Sequence, residues 1–141
     1  MKNLFNNFPV ENGDRSDALN LVKVLQYIAN VDGIDHTEKV GILSLISSRG
    51  WDPKLYAEAL DSPISSISML PYNSETIGVF SNYIIRDCII VAHIEGGYSK
   101  DESNLISTIA NELNVSKQTL TDIETAVDHH VNSVKIWSSL I

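Results

Sequence analysis

The chain has 141 residues, is 43% hydrophobic, and sets ten Lys and Arg against eighteen Asp and Glu, a formal charge of −8. That supply of apolar side chains fills one substantial core but not two large ones. So acidic a chain is poorly suited to neutralising phosphates, which argues against nucleic acid as its main partner. A single cysteine, Cys88, cannot form an internal disulfide and fits a reducing compartment.

Residues 1–15 read as a flexible leader, rich in Asn and other turn formers, with no continuous apolar region of the signal-peptide kind. The longest apolar stretch, residues 83–94, is broken by Arg86 and Asp87 and falls short of the ~20 residues a membrane helix needs. The expectation is a cytoplasmic protein with no membrane insertion.

Periodicity starts at Ser16. Ala18, Leu21, Val22, Leu25, Ile28 and Ala29 recur at helical spacing, and Gly33 is the expected stop. Asp35 and Glu38 form a capping-box pattern for a second helix, with Val40, Leu43, Ile46, Ile42 and Leu45 on its apolar face and Gly50 at its end. Asp52 and Pro53 open a third helix, with Leu55, Tyr56, Ala59 and Leu60 as its buried face. Residues 61–73 hold two prolines and four serines and read as a connecting loop. From Ser74 a long apolar helix carries Ile77, Phe80, Ile84, Cys88, Val91 and Ala92. Ile85, Ile89, Ile90 and Ile94 lie around the rest of its circumference, which marks a central, mostly buried helix. Ser99 and Glu102 repeat the capping box ahead of Leu105, Ile106, Ile109, Ala110 and Leu113, with Asn114 as the stop. Ser116 caps a last helix whose stripe is Leu120, Ile123, Val127, Val131, Val134 and Trp137. No segment alternates strictly enough to be a half-buried strand. The fold class expected is all-α, with about six helices.

The two halves match each other. Residues 28–33 align with residues 91–96 at an offset of 63, and after the turn Glu38, Ile42 and Leu45 align with Glu102, Ile106 and Ile109 at an offset of 64. Stops match as well (Gly50 with Asn114), and so do caps (Asp52 with Ser116). The expected domain spans 16–141: repeat one at 16–60, a linker at 61–73 and repeat two at 74–141. Two three-helix units related by a pseudo-two-fold would bury both apolar stripes in one core.

Each repeat carries one signature, a helix ending Ala-x-x-acid-Gly followed by a capped helix with Glu at its third position. The copies are Ala29-Asn30-Val31-Asp32-Gly33-Ile34-Asp35-His36-Thr37-Glu38 and Ala92-His93-Ile94-Glu95-Gly96-Gly97-Tyr98-Ser99-Lys100-Asp101-Glu102. The pattern resembles the TerB-like family, named for a bacterial tellurite-resistance protein, over roughly residues 16–128. The second copy fits at full spacing, with Glu for Asp and Tyr for an aliphatic residue; the first is one residue shorter. The resemblance implies an all-helical, non-enzymatic module of bacterial stress response whose acids bind a divalent cation. Carried over, those acids are Asp32 and Glu38, and Glu95 and Glu102. Some members of the family are fused to a J-domain. No His-Pro-Asp occurs here, which excludes a co-chaperone role through that motif.

Read from the residues alone, these acids have two explanations. Glu38 and Glu102 have a sufficient structural role in closing capping boxes, a cap contributing ~1 kcal/mol. Asp32 and Glu95 each follow a helix C-terminus, where the macrodipole disfavours an anion by ~0.3–1 kcal/mol. Either the positive end of the next helix offsets that cost, or a cation or basic partner does. Mg²⁺, Ca²⁺ or Mn²⁺ suits carboxylate ligands. An EF-hand is excluded by spacing, because with Gly33 as its sixth position the twelfth falls on Lys39.

Asp35, His36, Asp87, His93 and Asp101 are accessory candidates, His36 and His93 because they adjoin the turns. Arg86 and Asp87 interrupt the most apolar helix, as an ion pair or as a polar spot facing the other repeat. His129 and His130 point ~100° apart on a helix and converge poorly on one ion. No nucleophile–base arrangement, phosphate loop or basic aromatic patch is visible. Three functions follow in order: the cation- or partner-binding module, a metal-independent protein–protein adaptor using an exposed groove between the repeats, and an enzyme with carboxylates from both turns.

Overall fold

The computed structural model describes residues 15–32, 36–72, 81–94 and 98–141, apart from the side chains of 32, 36–38 and 94. The described residues form six α-helices and no strand: α1 (Arg15–Ala29), α2 (His36–Ser48), α3 (Leu55–Asp61), α4 (Ser81–Ile94), α5 (Lys100–Glu112) and α6 (Lys117–Leu140). The all-α class is therefore correct. Short 3₁₀ turns at Asn30–Asp32 and Ile67–Met69 complete the described elements.

The apolar periodicity accounts for the core. Every expected face residue of α1 is buried, and so are Ile84, Ile85, Cys88, Ile89, Ile90, Val91 and Ala92 around α4. Each fully buried Leu or Ile stabilises by about 1.5–3 kcal/mol relative to exposure. α4 is central because it touches α1, α2, α5 and α6. α1 packs mainly on α3 as α4 packs mainly on α6, and α1 and α4 each also touch the second helix of the other half.

Both second helices stop in the same way. At the end of α2, Gly50 has φ +68°, Trp51 N–H donates to the Ile46 carbonyl at 3.0 Å, and Gly50 N–H donates to Ser47 at 3.0 Å. At the end of α5, Asn114 has φ +61°, Val115 N–H donates to Ala110 at 2.8 Å, and Asn114 N–H donates to Asn111 at 3.1 Å. Each is a complete Schellman motif with a left-handed residue at the same aligned position.

Several local expectations need correction. Val40 and Leu60, expected on buried faces, are exposed. Both lie at the edge of helices whose other apolar positions already meet the core. The α-helical part of α3 starts at Leu55, two residues after Pro53. Asp52 still holds the approach, because its Oδ1 accepts the Lys54 N–H at 2.9 Å. The 61–73 connection is not wholly irregular: it contains the Ile67–Met69 turn and buries Ile64 and Tyr72. The apolar stripe of α6 continues past its burial, leaving Val134 and Trp137 exposed. Gly33, Asp35, Ser74, Ile77 and Phe80 lie outside the described residues, as does the leader up to residue 14.

Candidate functional site

The ends of α1 and α4 meet at one place. Leu25, Ile28 and Ala29 from α1, Cys88, Val91 and Ala92 from α4, and Glu102 from the first turn of α5 line a single gap. The three α1 residues and the three α4 residues are aligned counterparts at the offset of 63. The gap is about 10 Å³ and apolar-lined, too small and too dry to hold a ligand. It marks close helix contact, which the small Ala29 and Ala92 permit. The Asn30–Asp32 turn continues from this end of α1 and packs against α5.

Glu102 occupies the capping box expected of it. Its backbone N–H donates to Ser99 Oγ at 3.1 Å, its Oε1 accepts the Ser99 N–H at 3.2 Å, and the residue is buried. Asp101 is exposed in the same turn. His93 is half-buried near the end of α4, its ring 5.4 Å from that of Tyr98 and tilted by 49°. Burial raises the Tyr98 hydroxyl above the usual tyrosine range, with Ser103 and Glu124 beside it. Asp35 and Glu95 lie outside the described residues, as do the side chains of Asp32, His36 and Glu38. Among the described residues no three His, Cys, Asp or Glu side chains gather as metal ligands would.

A second polar centre lies between the halves. Asp87 is completely buried on α4; its Oδ2 accepts from Arg49 Nη2 at 2.7 Å and its Oδ1 from Arg86 Nη2 at 3.2 Å. The Arg49 side chain is 5% exposed and that of Arg86 15%. Burial pushes the Asp87 carboxyl up, and the two guanidiniums oppose that push. Arg49 also lies over the Trp51 ring at 5.1 Å, and Arg86 over Tyr83 at 5.0 Å. The Tyr72 hydroxyl is buried nearby without a hydrogen-bond partner, and burial raises it further above its ordinary value. The arrangement is a buried ion-pair tie between the two halves. Sequence pointed to Arg86 and Asp87 but not to Arg49. An Arg before a helix-ending Gly carries no signal of a partner 38 positions away.

An open groove of about 680 Å³ runs between α5 and α6, past Ser107, Asn111, Asn114, Ser116, Thr121 and Glu124. It lies toward the C-terminal end of α5, opposite Ser99 and Glu102, and shares no residue with the signatures. Its hydroxyl and amide side chains offer no gathered ligand set.

Compared with models of known families, with curated proteins and with solved structures, the chain matches none. Among the described residues no helix is long and apolar enough to cross a membrane.

Proposed function

We propose that the protein is a non-enzymatic, TerB-like module that binds a divalent cation, or a basic segment of a partner protein, through the acids that follow the paired ends of α1 and α4. The observation carrying this reading is the meeting of the two helix ends, with aligned residues from both halves and Glu102 around one small gap. The C-terminal ends of α1 and α4 come together, and the sequence places an acid just after each, Asp32 and Glu95. The matched Schellman stops and the paired helix contacts support the reading of an internal repeat. Asp32 and Glu95 are the proposed ligands, with Glu38 next in line. Glu102 acts as the cap that sets the second turn. An all-oxygen donor set fits Mg²⁺, Ca²⁺ or Mn²⁺.

Calorimetric titration of the whole chain with each of the three ions tests the reading. Binding that Asp32→Asn with Glu95→Gln removes, and that Asp101→Asn leaves intact, is the expected result. Heat of binding that survives the double substitution would place any site elsewhere.

A further inference from the structure

We infer that the C-terminal half of α6 is an interface with a second copy of this chain. Leu120, Val127, Val134 and Ile141 recur every seventh residue, with Ile123, His130 and Trp137 between them, the 3–4 spacing of a two-helix seam. The first half of that seam is covered, since Leu120 and Val127 are buried and α6 packs on α4. α6 continues to Leu140, and the full burial of its seam ends at Val127. Beyond that point Val134 is 39% exposed, Trp137 57% and Ile141 99%. Ile136 and Leu140, at 60% and 68%, widen the apolar face.

Charge selects the occupant. The chain carries −8, so two copies repel over most of their surfaces. Residues 129–141 contain no Asp or Glu and a single Lys, Lys135. The positions flanking the exposed seam are Ser133, Ser138 and Leu140, which place no like charges opposite each other when the helix pairs with itself. The exposed apolar side chains present at most roughly 600 Å² per copy, and Ile136 lies off the seam, so an isologous pair stays below about 1,200 Å², the size of a weak, concentration-dependent interface. The inference is independent of the acidic turns.

Sedimentation velocity of the full chain from about 1 µM to about 1 mM, the range of a moderate Kd, is the test. A monomer of 15.6 kDa that converts to a species of twice that mass as concentration rises is expected. Val134→Asp with Trp137→Asp keeps the monomer mass throughout, and Trp137→Ser alone weakens association at least tenfold. Both variants melt like the wild-type monomer, because the altered side chains are exposed. A wild-type chain that stays monomeric at the highest concentration overturns the inference. So does a dimer that persists in the double variant, or a monomer that binds anionic phosphatidylglycerol vesicles through Trp137.

Discussion

Arg49 and Asp87, one from each half, meet at 2.7 Å although 38 positions separate them, and the carboxylate has no exposed surface. This contact ties the end of α2 to the middle of α4. Its geometry carries the first prediction. Asp87→Asn removes the buried carboxylate charge from between the Arg49 and Arg86 guanidiniums and should destabilise by about 3–5 kcal/mol. Arg49→Met leaves Asp87 paired with Arg86 and should cost less. Replacing Arg49 with Met and Asp87 with Asn together should cost less than the two single changes added, because the Arg49–Asp87 contact can be lost only once. Urea melts of the three variants check the order; an Asp87→Asn chain as stable as wild type would contradict it.

The capping box gives a second prediction. Ser99→Ala removes the acceptor of the Glu102 N–H and should lower stability by about 0.5–2 kcal/mol. Ser116→Ala, which removes the acceptor of the Thr119 N–H at 3.1 Å, should fall in the same range. Urea midpoints that do not move, with unchanged slopes, would mean the caps contribute nothing.

A third prediction uses the helix stops. A Cβ at Gly50 meets no atom within 4 Å, so Gly50→Ala incurs only the backbone cost of a left-handed alanine, about 1–2 kcal/mol. Asn114→Gly should be neutral or slightly stabilising, because glycine holds the same φ without strain. Thermal melts that rank the two variants in the opposite order would contradict the assignment.

Acid should expose the tie between α1 and α3. The Lys54 N–H, and then Arg15, hold Asp52 below its ordinary 3.8. The Arg15 guanidinium, hydrogen-bonded at 2.6 Å, holds Glu58 below its ordinary 4.5. A carboxylate depressed in the folded chain contributes stability above its unfolded value and loses it as pH falls through the folded one. Both groups are solvent-exposed, so the effect is small and salt-sensitive. Melting from pH 6 down through the carboxylate range should fall less for Asp52→Asn with Glu58→Gln than for wild type. Parallel curves would show that the Arg15 cluster contributes nothing.

Much of the fold was legible because its punctuation is local. Gly50 and Asn114 announce left-handed stops, Ser99 and Ser116 announce caps, and each is settled by hydrogen bonds within six residues. The core faces of α1 and α4 follow from spacing alone. Pairings across the halves were not legible. The Arg49–Asp87 tie requires knowing which helices meet. Gln26, polar by type, is buried because its Nε2 reaches the Tyr56 carbonyl at 3.0 Å on α3. Val40 and Leu60 show the converse, since spacing places them near an apolar face without saying where that face ends. Of the candidate site, the capping role of Glu102 was legible from the Ser-x-x-Glu spacing. The meeting of Ala29 and Ala92 around it followed only from the proposed two-fold.

The proposed function lies in the acids of the two turns. Thermal melting of the wild-type chain at fixed ionic strength, with and without Mg²⁺, Ca²⁺ or Mn²⁺, tests it directly. A cation bound only by the folded chain should raise stability by about 2.7 kcal/mol at a hundredfold excess over Kd, and Asp32→Asn with Glu95→Gln should abolish the rise. A flat response to all three ions, together with a double variant more stable than wild type, would contradict cation binding. It would leave Asp32 and Glu95 as uncompensated charges at helix ends and the adaptor reading in front.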